Sequence, residues 1–255
     1  METAQALKTL DNTCSRCSLS EICLCSGLGE KELARLDQLL RYRKKARRGE
    51  HLFRAGDTLH SLFAIHSGFF KTYLLYADGR QQVTGFQMCG EIVGMDAISQ
   101  DEHTCYAIAL EDSEVCEIPF ARLEKLAREM PALQRHFHRL MSREIVRDQG
   151  VILLLGAMRA EERVAALLLN LSQRYLARGY SAAEFRLRMT RKEIGSYLGL
   201  KIETVSRIFT KLQADGLISV RNKTVTLKNI AALRRLLGEE ERVKSRAGNV
   251  YQVNF

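Results

Sequence analysis

The sequence has no hydrophobic run of membrane-spanning length. An aliphatic stretch such as residues 151–155 is far shorter than the roughly 20 residues that a spanning helix needs. Residues 1–20 also lack the apolar core of a secretory signal peptide. We therefore expect a cytoplasmic protein with no membrane partner, in which the seven cysteines stay mostly reduced and free to bind metal.

Patterns typical of enzymes are also missing. The sequence has no second cysteine cluster motif, no flavin fingerprint and no constellation that would activate a nucleophile. Internal repeats and extended low-complexity tracts are absent as well. These absences argue against a catalytic or electron-transfer protein, and we expect no enzyme activity.

Positive charge is concentrated in one part of the chain. The net charge is +9, yet residues 1–158 carry a balance of −1 and residues 159–238 one of +10, while the last 17 residues cancel. A basic excess confined to one segment indicates contact with a polyphosphate such as double-stranded DNA. A second basic run, at residues 41–48, lies outside this segment and is interpreted as a solvated face or loop.

Four of the cysteines have a spacing that indicates metal or redox chemistry. Cys14, Cys17 and Cys23 lie in a short polar segment, and Cys116 follows about ninety positions later. Iron–sulfur clusters commonly take two or three grouped thiolates and one from elsewhere. Structural zinc usually uses paired C-x2-C motifs, of which only one is present. Cys25 could compete as the third local ligand. The remaining cysteines are interpreted as small core residues: Cys89 and Cys105.

Hydrophobic periodicity predicts an α+β fold. Leucines in residues 30–40 repeat at helical spacing, whereas residues 49–120 contain short β-prone runs separated by glycines, which is typical of an antiparallel sandwich or roll. The expected parts are a ligand segment (1–27), an N-terminal antiparallel β-roll sensor domain (28–130), a long dimerisation helix (131–158), a C-terminal winged helix-turn-helix domain (159–238) and a C-terminal extension (239–255).

The helix that begins near Pro131 carries a stripe typical of a coiled coil. Its apolar residues step by fours and threes: Phe137, Met141, Ile145, Ile152 and Leu155. Asp148 falls on the same seam, between Ile145 and Ile152, where it would face its symmetry mate across a homodimer axis at a cost in stability. In the alternative interpretation, the stripe packs inside its own subunit and Asp148 caps or pairs locally.

Residues 190–207 predict a helix, a tight turn and a second helix. Thr190 followed by Glu193 is a capping box, and Gly199 lies where the chain must turn. Residues 217–220 and 224–227 predict a hairpin wing against the phosphates. Polar side chains suited to reading bases in the major groove lie on or beside the outward face of the second helix: Glu203, Thr204, Ser206, Arg207 and Lys211.

Several motifs together resemble those of the FNR branch of the Crp/Fnr transcription regulators. Besides the cysteine spacing, they are residues 83–86, 114–120, 141–145, 184–187 and 203–207. The resemblance covers roughly residues 14–237. It implies an oxygen-sensing regulator that binds a palindrome of TTGAT-type half-sites as a dimer while its 4Fe-4S cluster is intact. The implied cluster ligands are Cys14, Cys17, Cys23 and Cys116.

The resemblance also implies roles for single residues. Glu203, Ser206 and Arg207 would read bases, and Asp148 would match the family's repulsive seam aspartate. The turn at residues 78–79 would match the region that contacts RNA polymerase. Cys25 and the residues beyond 237 depart from the family's pattern.

Two other regulators are compatible with parts of the sequence. One is a constitutive DNA-binding regulator with a structural zinc site at the cysteines. The other is a cyclic-nucleotide-responsive regulator, because residues 90–92 resemble the ribose-binding turn of such proteins. The second alternative is weak, since residues 104–110 contain no arginine for the cyclic phosphate.

Overall fold

A computed structural model describes residues 14–40 and 43–238 of the chain. Backbone contacts divide the protein into two compact units, with the boundary between Ser142 and Arg143. Residues 1–13 of the expected ligand segment and the whole C-terminal extension at 239–255 lie outside the described residues. Within the described ranges, none of the helices combines the length and apolar character needed to cross a membrane.

The first unit is built on eight strands in two antiparallel sheets. The strands are β1 (Arg43–Ala46), β2 (His51–Phe53), β3 (Ser61–Ser67), β4 (Phe69–Leu75), β5 (Gln81–Met88), β6 (Ile92–Val93), β7 (Tyr106–Ala109) and β8 (Ser113–Pro119). One sheet has the strand order β1-β8-β3-β6 and the other β2-β7-β4-β5. The predicted antiparallel roll is therefore confirmed.

Two short helices cover the sheet that contains β3 and β8. They are α1 (Glu30–Leu39) and α2 (Phe120–Glu129). Leu36 of α1, Leu62 of β3 and Ile118 of β8 are at most 1% exposed and belong to one hydrophobic core cluster. Leu24 and Cys25 are part of the same cluster. The cysteine segment is thus anchored in the core of the roll and needs no core of its own.

A long helix follows after a break of one residue. Met130 has an extended backbone, because the ring of the next residue disfavours helical backbone in the residue before it. Pro131 then fits the first turn of α3 (Pro131–Ala157), which has 27 residues. The predicted long helix is confirmed, whereas the sequence pattern does not predict α2.

The second unit contains the winged helix-turn-helix. Its elements after α3 are α4 (Ala160–Leu176), β9 (Glu184–Arg186), α5 (Arg191–Leu198), α6 (Ile202–Ala214), β10 (Ile218–Arg221), β11 (Thr224–Leu227) and α7 (Ile230–Leu236). The predicted hairpin wing is confirmed, although its first strand begins one residue later than expected, at Ile218. Strand β9 pairs with β11 and completes a three-stranded sheet that the sequence pattern does not predict.

Candidate cysteine site and DNA-binding surface

Turns and one short 3-10 helix, Cys14–Arg16, shape the cysteine segment. The N–H of Cys17 donates to the carbonyl of Cys14 (3.2 Å), and the N–H of Cys23 donates to the carbonyl of Leu19 (2.9 Å). The carboxylate of Asp37, on α1, accepts the N–H of Cys14. Helix α1 therefore holds the beginning of the segment, while Leu24 and Cys25 hold its end in the core.

The fold brings all four predicted ligands to one place. Cys14, Cys17, Cys23 and Cys116 line a single cavity, and Cys25 lines it as well. Among the described residues, the rest of the lining is apolar apart from one imidazole: Leu19, Leu24, Leu36, Leu40, Ala64, Ile65, Ile118 and His66. The cavity is therefore rich in thiols and poor in other ligand groups.

Strand pairing determines where the distant cysteine lies. Cys116 is in the middle of β8, opposite Ala64 of β3 on one side and Arg43 of β1 on the other. The basic run at residues 41–48 is expected to be a solvated face or loop, and most of its described part, residues 43–48, is a solvated face. From Arg43 onward it forms edge strand β1, in which Lys44 and Lys45 are exposed while Arg43 is half-buried beside Cys116.

Mutual contacts and burial raise the pKa values of three thiols. Hydrogen bonding with Cys25, followed by burial, raises the pKa of Cys23 well above its usual value. Hydrogen bonding with Cys14, with burial adding to it, raises the pKa of Cys25 to about 12. Burial and the nearby Cys23 raise the pKa of Cys116 to about 11, while Arg43 acts in the opposite direction. Thiolates at this site therefore need a compensating positive charge, which a bound metal centre would supply.

The donor set fits a thiolate-bound cluster. Soft thiolate ligands select zinc, copper(I) or iron–sulfur centres over hard cations. Across the described residues, no group of three or more His, Cys, Asp or Glu side chains is arranged to hold a single metal ion. The ligands of a four-iron cluster each bind a different iron atom, so their sulfurs need not converge on one point. The shared cavity is thus compatible with a cluster without being a mononuclear site.

A side chain of the long helix reaches the cysteine segment. The Nε2–H group of His136, on α3, donates to the carbonyl oxygen of Cys23 at 3.1 Å. His136 is only 7% exposed. Sequence reasoning missed this contact, because the two residues are 113 positions apart and nothing in the local pattern links them.

Cys89 and Cys105 do not line the cavity. Both belong to or pack against a second core cluster of the roll, and Cys105 is 8% exposed. Its thiol donates to the Asp96 carboxylate at 3.4 Å. Burial, with Asp96 adding to it, raises the pKa of the Cys105 thiol far above its usual value. The interpretation of these two cysteines as core residues is confirmed.

The predicted capping box and turn of the helix-turn-helix are confirmed. The Thr190 hydroxyl accepts the N–H of Glu193 at 3.2 Å, and the Glu193 carboxylate accepts the N–H of Thr190 at 2.7 Å. Gly199 ends α5 with a φ of +63°, in the left-handed region that favours glycine. These local interactions fix where the first helix starts and where it stops.

Close packing of α5 and α6 depends on a second glycine that sequence reasoning missed. A Cβ atom on Gly195 would lie 2.5 Å from the carbonyl oxygen of Leu200, in the turn between the helices. Four apolar residues of the two helices are buried, with exposures of 0–8%: Ile194, Leu198, Val205 and Ile208. Gly195 therefore allows the turn to approach α5 closely.

The predicted base-reading side chains lie on the exposed surface of α6. Glu203, Ser206 and Arg207 are exposed, and the Ser206 hydroxyl donates to the carbonyl of Ile202 at 2.9 Å. Lys211 is exposed as well and pairs with Glu161 of α4 at 2.6 Å. The exposed surface of α6 thus presents a carboxylate, a hydroxyl and a guanidinium to solvent.

Arg163, on α4, joins three backbone segments of the second unit, and sequence reasoning missed it. Its guanidinium donates to the carbonyls of Leu155 (2.8 Å), Met158 (2.9 Å) and Leu198 (3.0 Å). The first two carbonyls belong to the end of α3 and the residue beyond it, and the third belongs to the last residue of α5. Arg163 therefore fixes the end of the long helix against the helix-turn-helix.

Three of the predicted seam residues lie on an exposed face of α3, whereas Phe137, Met141 and Leu155 are half-buried. Ile145 is 59% exposed and Ile152 is 70% exposed, and Asp148 between them is exposed too. The alternative in which the stripe packs inside its own subunit does not hold for these two isoleucines. Large apolar side chains that remain this exposed indicate a contact surface.

The β4–β5 turn, where the resemblance places the contact with RNA polymerase, is also exposed. Tyr76 and Arg80 close the turn through a backbone hydrogen bond of 2.9 Å. Gly79 has a φ of +81°. Tyr76 is 51% exposed and Leu75 is 47% exposed. The tip of this hairpin therefore presents apolar side chains to solvent.

Comparison with known proteins agrees with the two-part architecture. The protein-family model of the Crp-like helix-turn-helix domain matches residues 162–236, and the family model of the cyclic nucleotide-binding domain matches residues 43–130. The chain is 50% identical over 225 residues to the anaerobic regulatory protein of Pasteurella multocida (strain Pm70), which covers 88% of this chain and 82% of that protein. It is 47% identical over 230 residues to the fumarate and nitrate reduction regulatory protein of Escherichia coli (strain K12), covering 90% and 92%.

A solved structure shares the fold. FixK2 from Bradyrhizobium japonicum superposes with a TM-score of 0.71 at 29% identity, covering 76% of this chain and 96% of that one. The roll, the long helix and the winged helix-turn-helix thus define a DNA-binding transcription regulator of the Crp type. The identities place it more narrowly: the chain belongs to the FNR-type anaerobic regulatory proteins of the Crp/Fnr superfamily.

Proposed function

We propose that the protein is an oxygen-responsive transcription regulator of the cytosol whose Cys14, Cys17, Cys23 and Cys116 hold a 4Fe-4S cluster. The observation that carries the proposal is that these four thiols, from two distant parts of the chain, line one cavity. The cluster, when bound, supplies the chemistry that responds to oxygen. The similarity to anaerobic regulatory proteins supports the same assignment.

The residues around the cysteines connect the site to the long helix. Leu24 and Cys25 belong to a core cluster that also contains Leu133 of α3, and Phe137 packs against that cluster. Holding Cys23 in a ligand position therefore also orders a segment that packs on the first half of α3. Loss of that order would remove packing from the helix. The packing of α3 would therefore depend on whether the cysteine site is occupied.

Pairing of two subunits along α3 is the proposed response. Exposed Ile145 and Ile152 favour a homodimer through burial of their side chains, while two facing Asp148 carboxylates oppose it. A shift of about 5.5 kcal/mol is enough to move a population from 1:99 to 99:1. A balance between these opposing terms lets a modest change in the packing of α3 decide whether the dimer forms.

The dimer would read DNA through the two copies of α6. Glu203 can accept from cytosine N4, Arg207 can bind guanine O6 and N7, and the Ser206 hydroxyl can donate to or accept from a base edge. Two recognition helices in a dimer match half-sites roughly 34 Å apart, one helical turn of DNA. A palindromic operator with TTGAT-type half-sites fits this arrangement, and the exposed β4–β5 hairpin remains available to RNA polymerase.

Anaerobic purification followed by metal analysis tests the proposal. We expect a brown protein with about four iron and four sulfide per chain, bleached by air, whose affinity for a TTGAT palindrome falls when the colour is lost. Replacing Cys116→Ser should remove both the colour and the operator binding under nitrogen. Cys89→Ser, in a cysteine outside the cavity, is the matched control and should leave both unchanged.

Other results would contradict the proposal in distinct ways. A colourless protein with stoichiometric zinc would indicate a constitutive regulator with a structural metal site. Operator binding that requires a cyclic nucleotide would indicate the cyclic-nucleotide alternative, which the missing arginine in residues 104–110 disfavours. Retention of iron and operator affinity in the Cys116→Ser variant would show that the cysteine site is not the sensor.

A further inference from the structure

The hydrogen bond between His136 and Cys23 is an unusual feature of the first unit. A polar side chain that is only 7% exposed loses its contacts with water, and this loss must be offset by a hydrogen bond inside the protein. The bond from Nε2 to the Cys23 carbonyl, at 3.1 Å, provides that compensation. It joins the backbone of a proposed cluster ligand directly to a side chain of α3.

Apolar contacts also join the cysteine segment to α3, and they do not define a position as a hydrogen bond does. Leu24 and Cys25 share a core cluster with Leu133, and Phe137 and Leu140 pack against that cluster. Apolar packing is non-directional, so small sliding movements change its free energy little. A hydrogen bond depends steeply on distance and angle. The free energy of the bond from His136 therefore changes steeply when the Cys23 backbone moves.

We propose that His136 is a positioning residue that conveys the state of the cysteine site to the dimerisation helix. With the cluster bound, the Cys23 carbonyl is held where it accepts from His136, and α3 is stabilised in the arrangement that pairs with a second copy. When the ligand segment rearranges after cluster loss, the carbonyl moves away and the buried imidazole N–H loses its acceptor. This inference rests on the function proposed above.

The same helix carries the residues on which pairing is proposed to depend. His136 lies in the first half of α3, and Ile145, Asp148 and Ile152 follow on the same continuous helix. A contact that stabilises α3 only when the site is occupied contributes a coupling free energy between cluster binding and dimerisation. Removing that contact should weaken the coupling without removing a cluster ligand.

Three variants test the proposal in the full-length protein. His136→Leu removes the donor, His136→Gln retains an N–H donor on a side chain of similar length, and His138→Leu is the control at an exposed position of the same helix. Iron content and visible absorbance under nitrogen report the cluster, and sedimentation together with fluorescence anisotropy on the palindrome reports dimerisation and DNA binding.

We expect the His136→Leu variant to bind iron like the wild type but to dimerise about tenfold more weakly under nitrogen. His136→Gln should restore dimerisation to within about threefold of the wild type, and His138→Leu should match it. After exposure to air, His136→Leu and the wild type should be equally monomeric. A residue that merely supports the fold would weaken dimerisation by the same factor in both states.

The outcomes that overturn the proposal are separate from those that overturn the function. Parallel loss of iron and dimerisation in His136→Leu would show that His136 stabilises the cysteine site and does not couple it to dimerisation. Wild-type dimerisation in that variant would show that the bond has no role. If His136→Leu does not fold, His136→Met takes its place in the same comparison with His136→Gln. Absence of a cluster in the wild type would instead refute the proposed function itself.

Discussion

The cysteine site and the helix-turn-helix are held together in different ways. The helix-turn-helix lies within residues 190–214, and the hydrogen bonds that fix its first helix and its turn join close neighbours, such as Leu200 to Gly195 and Glu193 to Thr190. The cysteine site joins residues as distant as Cys14 and Cys116 and takes its support from α1, β8 and α3. One region is ordered by its own contacts, and the other depends on the elements around it.

This difference suggests which region changes and which stays constant during regulation. A segment made of successive turns and held by neighbouring elements can rearrange at a smaller free-energy cost than a capped and packed helix pair. The recognition helix would therefore keep its shape in both states, while the ligand segment changes. Regulation would change the pairing of two rigid helix-turn-helix copies and the distance between them. It would not change the structure of either copy.

The largest effect is expected from crowding the rigid region. Replacing Gly195→Ala places a Cβ atom 2.5 Å from the Leu200 carbonyl oxygen, so the backbone of the turn must move. We expect the free energy of unfolding of the second unit to fall by about 2 kcal/mol. Calorimetry should detect the loss, operator affinity should drop, and the iron content under nitrogen should remain that of the wild type.

A matched control for this variant lies on α3. Gly156 is helical and exposed, and a Cβ atom there would meet nothing within 4 Å. Gly156→Ala should raise the free energy of unfolding by up to about 1 kcal/mol, because alanine loses less backbone entropy in a helix. Equal effects of the two substitutions would contradict the close approach of the turn, and an iron loss in Gly195→Ala would contradict the independence of the two regions.

The rigid region was largely predictable from the sequence because its determinants are local. Thr190 and Glu193 are three residues apart, and Gly199 follows the last turn of the helix that they start, so the pattern can be recognised in one short window. The long helix was predictable for the same reason, and the strand and turn patterns of residues 49–120 indicated an antiparallel roll without specifying its strand pairing. The hairpin wing was predicted to within one residue.

The remaining features depend on tertiary structure. Cys116 meets the other cysteines only because β8 pairs with β3 and β1, and no local pattern in residues 113–119 specifies that pairing. Arg163 and His136 bind backbone carbonyls, which leave no signature in side-chain types. The spacing of the cysteines also does not decide whether Cys23 or Cys25 is the third local ligand. The fold brings both to one cavity.

A smaller effect is expected at the predicted dimer seam of α3. Replacing Asp148→Ala removes the carboxylate that would face its symmetry mate, and we expect dimerisation in air to become about tenfold tighter. Operator binding would then persist without iron, which would make the rigid region independent of the cysteine site. Sedimentation of the air-exposed protein and anisotropy on the palindrome measure the two quantities.

Asp148→Asn separates charge from shape in this test. The amide keeps the size of the side chain and loses the negative charge, so it should reproduce most of the effect of Asp148→Ala if repulsion is the cause. An air-exposed Asp148→Ala protein that remains as monomeric as the wild type would contradict the seam account. It would mean that repulsion between Asp148 carboxylates does not oppose the dimerisation that burial of Ile145 and Ile152 favours.

The smallest effect is expected from Cys25→Ser, which tests how the ligand set is divided among five thiols. The Cys25 thiol donates to the carbonyl of Ser20 at 3.5 Å, and a serine hydroxyl can keep that hydrogen bond. We expect unchanged iron and visible absorbance under nitrogen and a decrease in the free energy of unfolding of at most about 1 kcal/mol. Cys23→Ser should instead lose the cluster. The opposite result, in which only Cys25→Ser loses iron, would assign the third local ligand to Cys25 and show that burial in the core does not prevent a cysteine from serving the cluster.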